Sequence, residues 1–366
     1  MKIIILGAGL MGQAIAYDLC KYSKFEDITI IDRDKNKKIS AENFLKKLEV
    51  NYDILDINDK ENVRKYFDKN DVAISAIPYN YNYILSKIAI DTNTHFLDLG
   101  GNNSVVSRQK TLSKEAEKNN VTIIPDCGLA PGMTSVIVRD LVETIGKAEY
   151  VKIRVGGLPV DPKPPFNYQI VFSPNGLINE YVEDAIVLDN GKIIQKKSMT
   201  EIEEINFPEP FGKMEAFVTS GGCSTLPYTY RDKIDYLDYK TVRYPGHCKE
   251  FKPLLNLKTR EKLIEYLQKK LPSNEKDVVL VKIISKSKNN KPDVKLEYTI
   301  IDYYDEKANI TSMMRTTAYP TSIIAQMIEQ NIVTKRGVYC PEEIISPSIF
   351  FTELEKRKII INKEFK

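Results

Sequence analysis

The chain opens on an unbroken aliphatic run, Ile3-Ile4-Ile5-Leu6, that passes directly into Gly7-Ala8-Gly9-Leu10-Met11-Gly12. Apolar residues without alternation mark a strand buried on both faces, as in a parallel sheet, and the glycine turn after them predicts a helix over about residues 11–22. A second run, Ile28-Thr29-Ile30-Ile31, closes on Asp32. The alternation then continues. Helical patterns cover about 36–48, 60–67 (with Asn58 as its cap), 81–92 and 107–119; strand-like runs cover 51–56, 71–78, 95–101 and 121–125, the 71–78 run ending at Pro78. Strand and helix in turn predict an α/β fold with a doubly wound parallel sheet, a Rossmann-type domain at the N-terminus.

The glycine spacing adds chemistry to this pattern. Gly7 and Gly9 permit a tight turn and close backbone approach to a pyrophosphate, Gly12 lets the helix pack on its strand, and Leu10 and Met11 open that helix toward the phosphates. Asp32 is placed to accept hydrogen bonds from a ribose 2′-hydroxyl, which favours NAD over NADP, while Arg33 beside it is able to stack on adenine or contact a 2′-phosphate. Ligands collect beyond the carboxyl ends of parallel strands. The segments Asp56, Ala76-Ile77-Pro78-Tyr79, Asp98-Leu99-Gly100-Gly101 and Asp126-Cys127-Gly128 are therefore expected to line one crevice.

From about residue 148 the texture turns β-rich, with strand patterns at 149–155, 167–172, 185–188, 278–284 and 294–301. Asp189-Asn190-Gly191-Lys192 is a hairpin signal, and a polar loop spans 286–292. Helical patterns at 259–271 and 321–332 complete a second, α+β domain with a mixed or antiparallel sheet, the latter helix returning to the first domain with Ile324, Met327, Ile328 and Ile332 on one face. A length of 366 residues fits this two-domain reading. Charge then narrows the partners. Lys and Arg number 53 against 50 acids, a net +3 spread without a basic block, so nothing asks for nucleic acid. The first apolar stretch, interrupted at Gly7, is too short for a signal peptide or a membrane span, and five scattered cysteines with two histidines give neither a disulfide framework nor a zinc site; a cytoplasmic protein without a metal is expected.

Three longer segments, joined to the opening glycine motif, carry a resemblance: Pro125-Asp126-Cys127-Gly128-Leu129-Ala130-Pro131-Gly132-Met133, Gly156-Gly157-Leu158-Pro159 and Arg243-Tyr244-Pro245-Gly246-His247. In these the chain resembles the saccharopine dehydrogenase family, and Pro165-Phe166-Asn167-Tyr168-Gln169, Leu177-Ile178-Asn179-Glu180-Tyr181, Phe207-Pro208-Glu209-Pro210-Phe211-Gly212 and Thr219-Ser220-Gly221-Gly222 are similar to its lysine 6-dehydrogenase branch. Saccharopine-forming members carry Asp and Cys where this chain has Ala130 and Val155, a departure that turns the expectation away from saccharopine itself. The resemblance implies a Rossmann domain over 1–130 completed by 321–366, a substrate domain over 131–320, a homo-oligomer (dimer or tetramer) and a small-molecule amino-acid substrate. It implies NAD-dependent oxidation of the ε-amine of L-lysine to 2-aminoadipate 6-semialdehyde. The alternatives are a C–N bond-forming reductase of the saccharopine or carboxynorspermidine type and, further off, an NAD sensor without turnover.

Oxidising a side-chain amine calls for a base near nitrogen, since a free lysine ammonium titrates at about 10.4. Asp126, at a strand end, is the leading candidate, and equally able to cap the next helix or brace the Gly128–Gly132 turn. Tyr79 is placed to wall the nicotinamide or bond the amine, and His247, between glycine and cysteine, is either a second base or a loop-holding histidine. Arg243 offers parallel donors to an α-carboxylate, or a structural salt bridge; Tyr168, Gln169, Asn179, Glu180 and Gly221 are expected to complete a polar lining.

Overall fold

The computed structural model describes every residue except 258, 274 and 289–293. Contacts divide it into two units, Met1–Val136 with Met314–Leu354, and Ile137–Met313 with Glu355–Lys366.

In the first unit the aliphatic runs become strands β1 (Lys2–Leu6), β2 (Asp27–Asp32), β3 (Asn51–Ile54), β4 (Val72–Ser75), β5 (His95–Asp98) and β6 (Thr122–Ile124). Strands β7 (Ala148–Pro159), β8 (Ala185–Asp189), β9 (Lys192–Lys196), β10 (Glu203–Asn206), β11 (Lys213–Val218), β12 (Ile234–Arg243), β13 (Asp277–Ser287) and β14 (Lys295–Tyr303) follow in the second. The chain then contributes β15 (Gly337–Val338) to the first sheet and β16 (Asn362–Phe365) to the second. The first sheet is parallel throughout in the order β15-β6-β5-β4-β1-β2-β3. Ile3, Ile4 and Ile5 of its central strand are fully buried, each side chain worth about 2 kcal/mol of transfer free energy. This is the expected doubly wound Rossmann-type α/β sheet, and the second unit carries the expected mixed sheet, ordered β10-β11-β12-β7-β13-β14-β16 with the β8–β9 hairpin attached to β12.

The hairpin forms at Asn190-Gly191, both with positive φ, as an Asn-Gly turn with the right twist requires. Elsewhere the pattern misleads. The 167–172 run is no strand: Phe166 and Asn167 both lie at positive φ, which breaks the extended path, and Tyr168, Gln169 and Val171 are buried in irregular chain ahead of the helix Pro174–Val182. The 60–67 helix is capped by Asp59, whose side chain accepts from Asn62 N–H, rather than by Asn58. The 107–119 pattern splits into helices Asn103–Lys110 and Ser113–Lys118. The 321–332 pattern is part of a longer helix, Ser312–Glu329, whose first N–H groups at Ser312 and Met313 donate to the Asp277 carboxylate at 2.6 and 2.9 Å. Its later residues do pack in the first unit, where Ser322 donates to Asp18 at 2.6 Å. The last residues depart from the expected boundary: 355–366 join the second unit, β16 pairing with β14, instead of closing the Rossmann domain. Part of the expected 286–292 loop lies outside the described residues, although Lys286 and Ser287 still belong to β13.

Candidate functional site

In the first unit the glycine turn is built as its spacing predicts. Gly7, at φ +110°, packs so tightly that a Cβ would stand 2.7 Å from the Ala76 carbonyl and 2.9 Å from Ile77, which brings the end of β4 against the turn. A Cβ at Gly12 would reach the Gly7 carbonyl, so the helix Leu10–Tyr22 lies directly on it, whereas nothing of the protein stands within 4 Å of a Cβ at Gly9. That open space, at a helix start with no side-chain cap and no acid in its first turn, suits a pyrophosphate. Leu10 is exposed there and Met11 partly so.

Asp32 ends β2 beside the turn. One carboxylate oxygen accepts Ala8 N–H at 2.9 Å and the other Asp34 N–H at 2.9 Å, so the residue holds the glycine turn and keeps its remaining lone pairs for a ribose hydroxyl. Arg33 is exposed and makes no hydrogen bond or ion pair among the described residues. Asp56 is also exposed and accepts from Asn58, a turn-forming role.

The loops expected at the strand ends do converge within this unit. Tyr79, in the short helix Tyr79–Tyr81 that follows Pro78, lays its ring on Gly101, 3.3 Å from a Cβ built there. Asp126, buried and at φ +62°, presses an oxygen against Gly100, where a Cβ would come within 1.9 Å. Asp98 occupies a different place from the one expected. It is fully buried beneath these loops, with Gly100 N–H (2.8 Å), the Gln109 amide (2.7 Å) and Asp126 N–H (3.4 Å) all donating to it. Burial pushes its carboxyl up to about 6. It braces the crevice and does not line it.

In the second unit, Arg243 ends β12 in a buried aromatic chamber. Its guanidinium carbon lies 4.6 Å from the Tyr168 ring centre and 5.8 Å from that of Tyr181. Nε donates to the Tyr181 hydroxyl at 3.0 Å and Nη1 to the neighbouring Val242 carbonyl at 2.9 Å. No carboxylate lies within ion-pair distance among the described residues. The Tyr168 hydroxyl is buried with no hydrogen-bond partner. Glu180, on the helix Pro174–Val182, is close enough for Arg243 to pull its titration down, yet burial wins and raises it to about 7.

His247 does not stand as a base. It is buried, its Nδ1 lies 3.0 Å from the Phe166 carbonyl and its Nε2 3.0 Å from the Tyr181 hydroxyl. A carbonyl only accepts, so Nδ1 carries the proton and Nε2 accepts from Tyr181, which in turn accepts from Arg243. Burial and the guanidinium push its pKa down to about 3, and the ring stacks on Phe217 and Phe251. The histidine is a neutral strut that orients the arginine through Tyr181. Tyr181 itself was not among the residues singled out from sequence, although the Asn179-Glu180-Tyr181 run contains it.

The remaining lining residues divide. The Gln169 amide donates to the carbonyls of Glu275 and Lys276, and Asn179 accepts from Arg260 at 2.6 Å; both are tied into the fold. The Glu180 carbonyl accepts Ser220 N–H at 3.0 Å, and Gly221, at φ +90°, has no protein atom within 4 Å of a Cβ position. Among the described residues no group of three His, Cys, Asp or Glu side chains is disposed to hold a metal, and no helix is long and apolar enough to cross a membrane.

Comparison with known proteins agrees with this layout. Residues 3–124 match the saccharopine dehydrogenase NADP binding domain and 128–360 the saccharopine dehydrogenase C-terminal domain. Saccharopine dehydrogenase [NADP(+), L-glutamate-forming] of Schizosaccharomyces pombe is 25% identical over 310 residues, 80% of this chain and 66% of that protein. The mitochondrial alpha-aminoadipic semialdehyde synthase of Bos taurus is 24% identical over 277 residues, 70% of this chain, which spans only 28% of that longer protein. In fold, the chain is similar over its whole length to apo saccharopine dehydrogenase (L-Glu forming) of Saccharomyces cerevisiae, at TM-score 0.78, 18% identity and 99% of that chain. It is also similar to homospermidine synthase of Legionella pneumophila in complex with NAD, at TM-score 0.72, 14% identity and 91% of that chain. With both domain models matched, the chain belongs to the saccharopine dehydrogenase family, its N-terminal part matching that family's NADP binding domain.

Proposed function

We propose that the protein is an NAD-dependent amine dehydrogenase that oxidises the ε-amine of L-lysine to 2-aminoadipate 6-semialdehyde with release of ammonia. The observation that carries the reading is Arg243, a buried guanidinium without a carboxylate partner, as expected of an anchor for a substrate α-carboxylate. The cofactor, when bound, takes the hydride from the carbon bearing the amine. Gly7, Gly9 and the start of the Leu10–Tyr22 helix would hold its pyrophosphate, Gly12 lets that helix pack close, and Asp32 would take the ribose hydroxyl, disfavouring a 2′-phosphate. Tyr79 walls the nicotinamide. Asp126 is the group assigned to take the proton from nitrogen or to activate the water that releases ammonia. We assign the enzyme to the cytoplasm and to a homo-oligomer.

The family's named relatives favour a second reading, a C–N bond-forming reductase of the saccharopine type using NAD(P)H. Ala130 and Val155, where such members carry Asp and Cys, weigh against it. The purified protein, offered NAD or NADP with L-lysine, L-ornithine or saccharopine at alkaline pH, tests both. Lysine-dependent NADH formation with little response to saccharopine is expected. Silence on lysine with turnover of saccharopine overturns the first reading and establishes the second.

A further inference from the structure

The Arg243 chamber holds a second unmatched group. The Glu180 carboxylate makes no hydrogen bond or ion pair with any described residue, and it is only partly buried. Its charge acts on Arg243 and Tyr239 of β12, Tyr168 of the preceding irregular segment and Tyr181 of its own helix. Of these only Arg243 carries a charge at neutral pH, and it stays beyond ion-pair distance. Three groups at one site are thus incompletely satisfied: a guanidinium whose Nη2 makes no hydrogen bond among the described residues, the buried Tyr168 hydroxyl and the half-buried Glu180 carboxylate. Burying such groups unpaired costs free energy, so the arrangement fits a ligand that satisfies all three. An anion alone leaves Glu180 unmatched and repels it. A cation alone does the same to Arg243. A zwitterion whose ammonium and carboxylate are borne on one carbon matches both, with tyrosine rings beside the ammonium as favourable cation–π faces.

We propose that Glu180 is a specificity-determining residue that receives the α-ammonium of an amino acid whose α-carboxylate lies on Arg243 and Tyr168. This deepens the amine dehydrogenase reading, which invoked only the carboxylate, and it rests on that reading for the identity of the anchored end. The Glu180 carboxyl, raised to about 7 by burial, must be ionised to do this, so head-group binding strengthens as pH rises through that value.

Calorimetric titration of the intact protein, with and without NAD, against L-norleucine and hexanoate separates the contributions. Neither ligand has a side-chain amine, so the result does not depend on whether lysine is oxidised; that question is answered by NADH formation alone. Wild type is expected to bind norleucine roughly 10- to 100-fold more tightly than hexanoate. Glu180→Gln is expected to bring the two together, weakening norleucine and strengthening hexanoate as the repelling carboxylate is removed, and to abolish the loss of norleucine affinity below pH about 7. Glu180→Asp, which keeps the charge, restores part of the preference, and an unchanged melting temperature for Glu180→Gln guards against misfolding. An undiminished preference in Glu180→Gln, equal affinities in wild type, or no binding of norleucine overturns the proposal.

Discussion

Two arginines stand on neighbouring strands of one sheet and are almost equally hidden, Arg154 at 1% exposure on β7 and Arg243 at 2% at the end of β12. Arg154 is fully answered. Its two terminal nitrogens grip Asp238 at 2.8 and 3.1 Å, its Nε meets Glu203, and Lys240 reaches the other Glu203 oxygen at 2.9 Å. Arg243 has a tyrosine, a carbonyl and two aromatic faces, and no carboxylate. Desolvating a guanidinium is expensive unless it is paired. The first pair is complete inside the protein and is therefore structural; the second lacks an anion that the protein does not provide, which is why it is assigned to substrate.

The sharpest way to break this contrast is to remove each cation in turn. Arg154→Leu leaves Asp238 buried and uncompensated, and urea denaturation is expected to show a loss of about 3–5 kcal/mol. Arg243→Met removes an unpaired charge, so stability is expected to stay within about 1 kcal/mol of wild type or to rise. Similar large losses for both variants would erase the distinction. Next in size, His247→Phe takes away the acceptor that fixes Tyr181 and through it Arg243; KM for L-lysine should rise about tenfold with kcat much less affected, and His247→Gln should recover part of the loss. Because the imidazole is held neutral to about pH 3, the kcat profile is expected to show no limb that this variant removes. A vanished limb near neutrality would return His247 to the role of base.

Smaller effects are expected from the first unit. Asp32→Ser should shift the ratio of kcat/KM toward NADP by about tenfold, with some loss for both cofactors since Asp32 also holds Ala8 N–H. Asp98 gives a signal of similar size. Its folded pKa, about 6, lies above the unfolded value, so the native state binds the proton more tightly. Its contribution therefore grows as pH falls through 6 toward 4 and is lost as pH rises. Relative to Asp98→Asn, wild type should gain on the order of 1–2 kcal/mol over that window in equilibrium denaturation.

The same contrast explains what could be read from the chain alone. Gly7, Gly9, Gly12 and Asp32 act through backbone geometry over some 25 residues, so their spacing carries their arrangement, and the aliphatic strands that flank them state their own burial. Arg154 and Arg243 look alike in sequence. Whether a carboxylate from another strand arrives at each depends on the pairing of β12 with β7 and on where Asp238 and Glu203 fall, which no local pattern records. The apolar 167–172 run was misleading for a related reason: its residues are buried as a strand's would be, while two left-handed residues just before and within it decide the backbone. Likewise the true start of the Ser312–Glu329 helix is set by Asp277, 35 residues away, and the bracing role of Asp98 by Gln109.

Whether Arg243 awaits the α-carboxylate of an amino acid whose side-chain amine is oxidised is decided by kcat/KM for L-lysine and for cadaverine in wild type and Arg243→Ala. A strong wild-type preference for lysine is expected, lost in the variant through a fall of roughly 100-fold or more on lysine and little change on cadaverine. Equal losses on both substrates, or an unchanged preference, would contradict it.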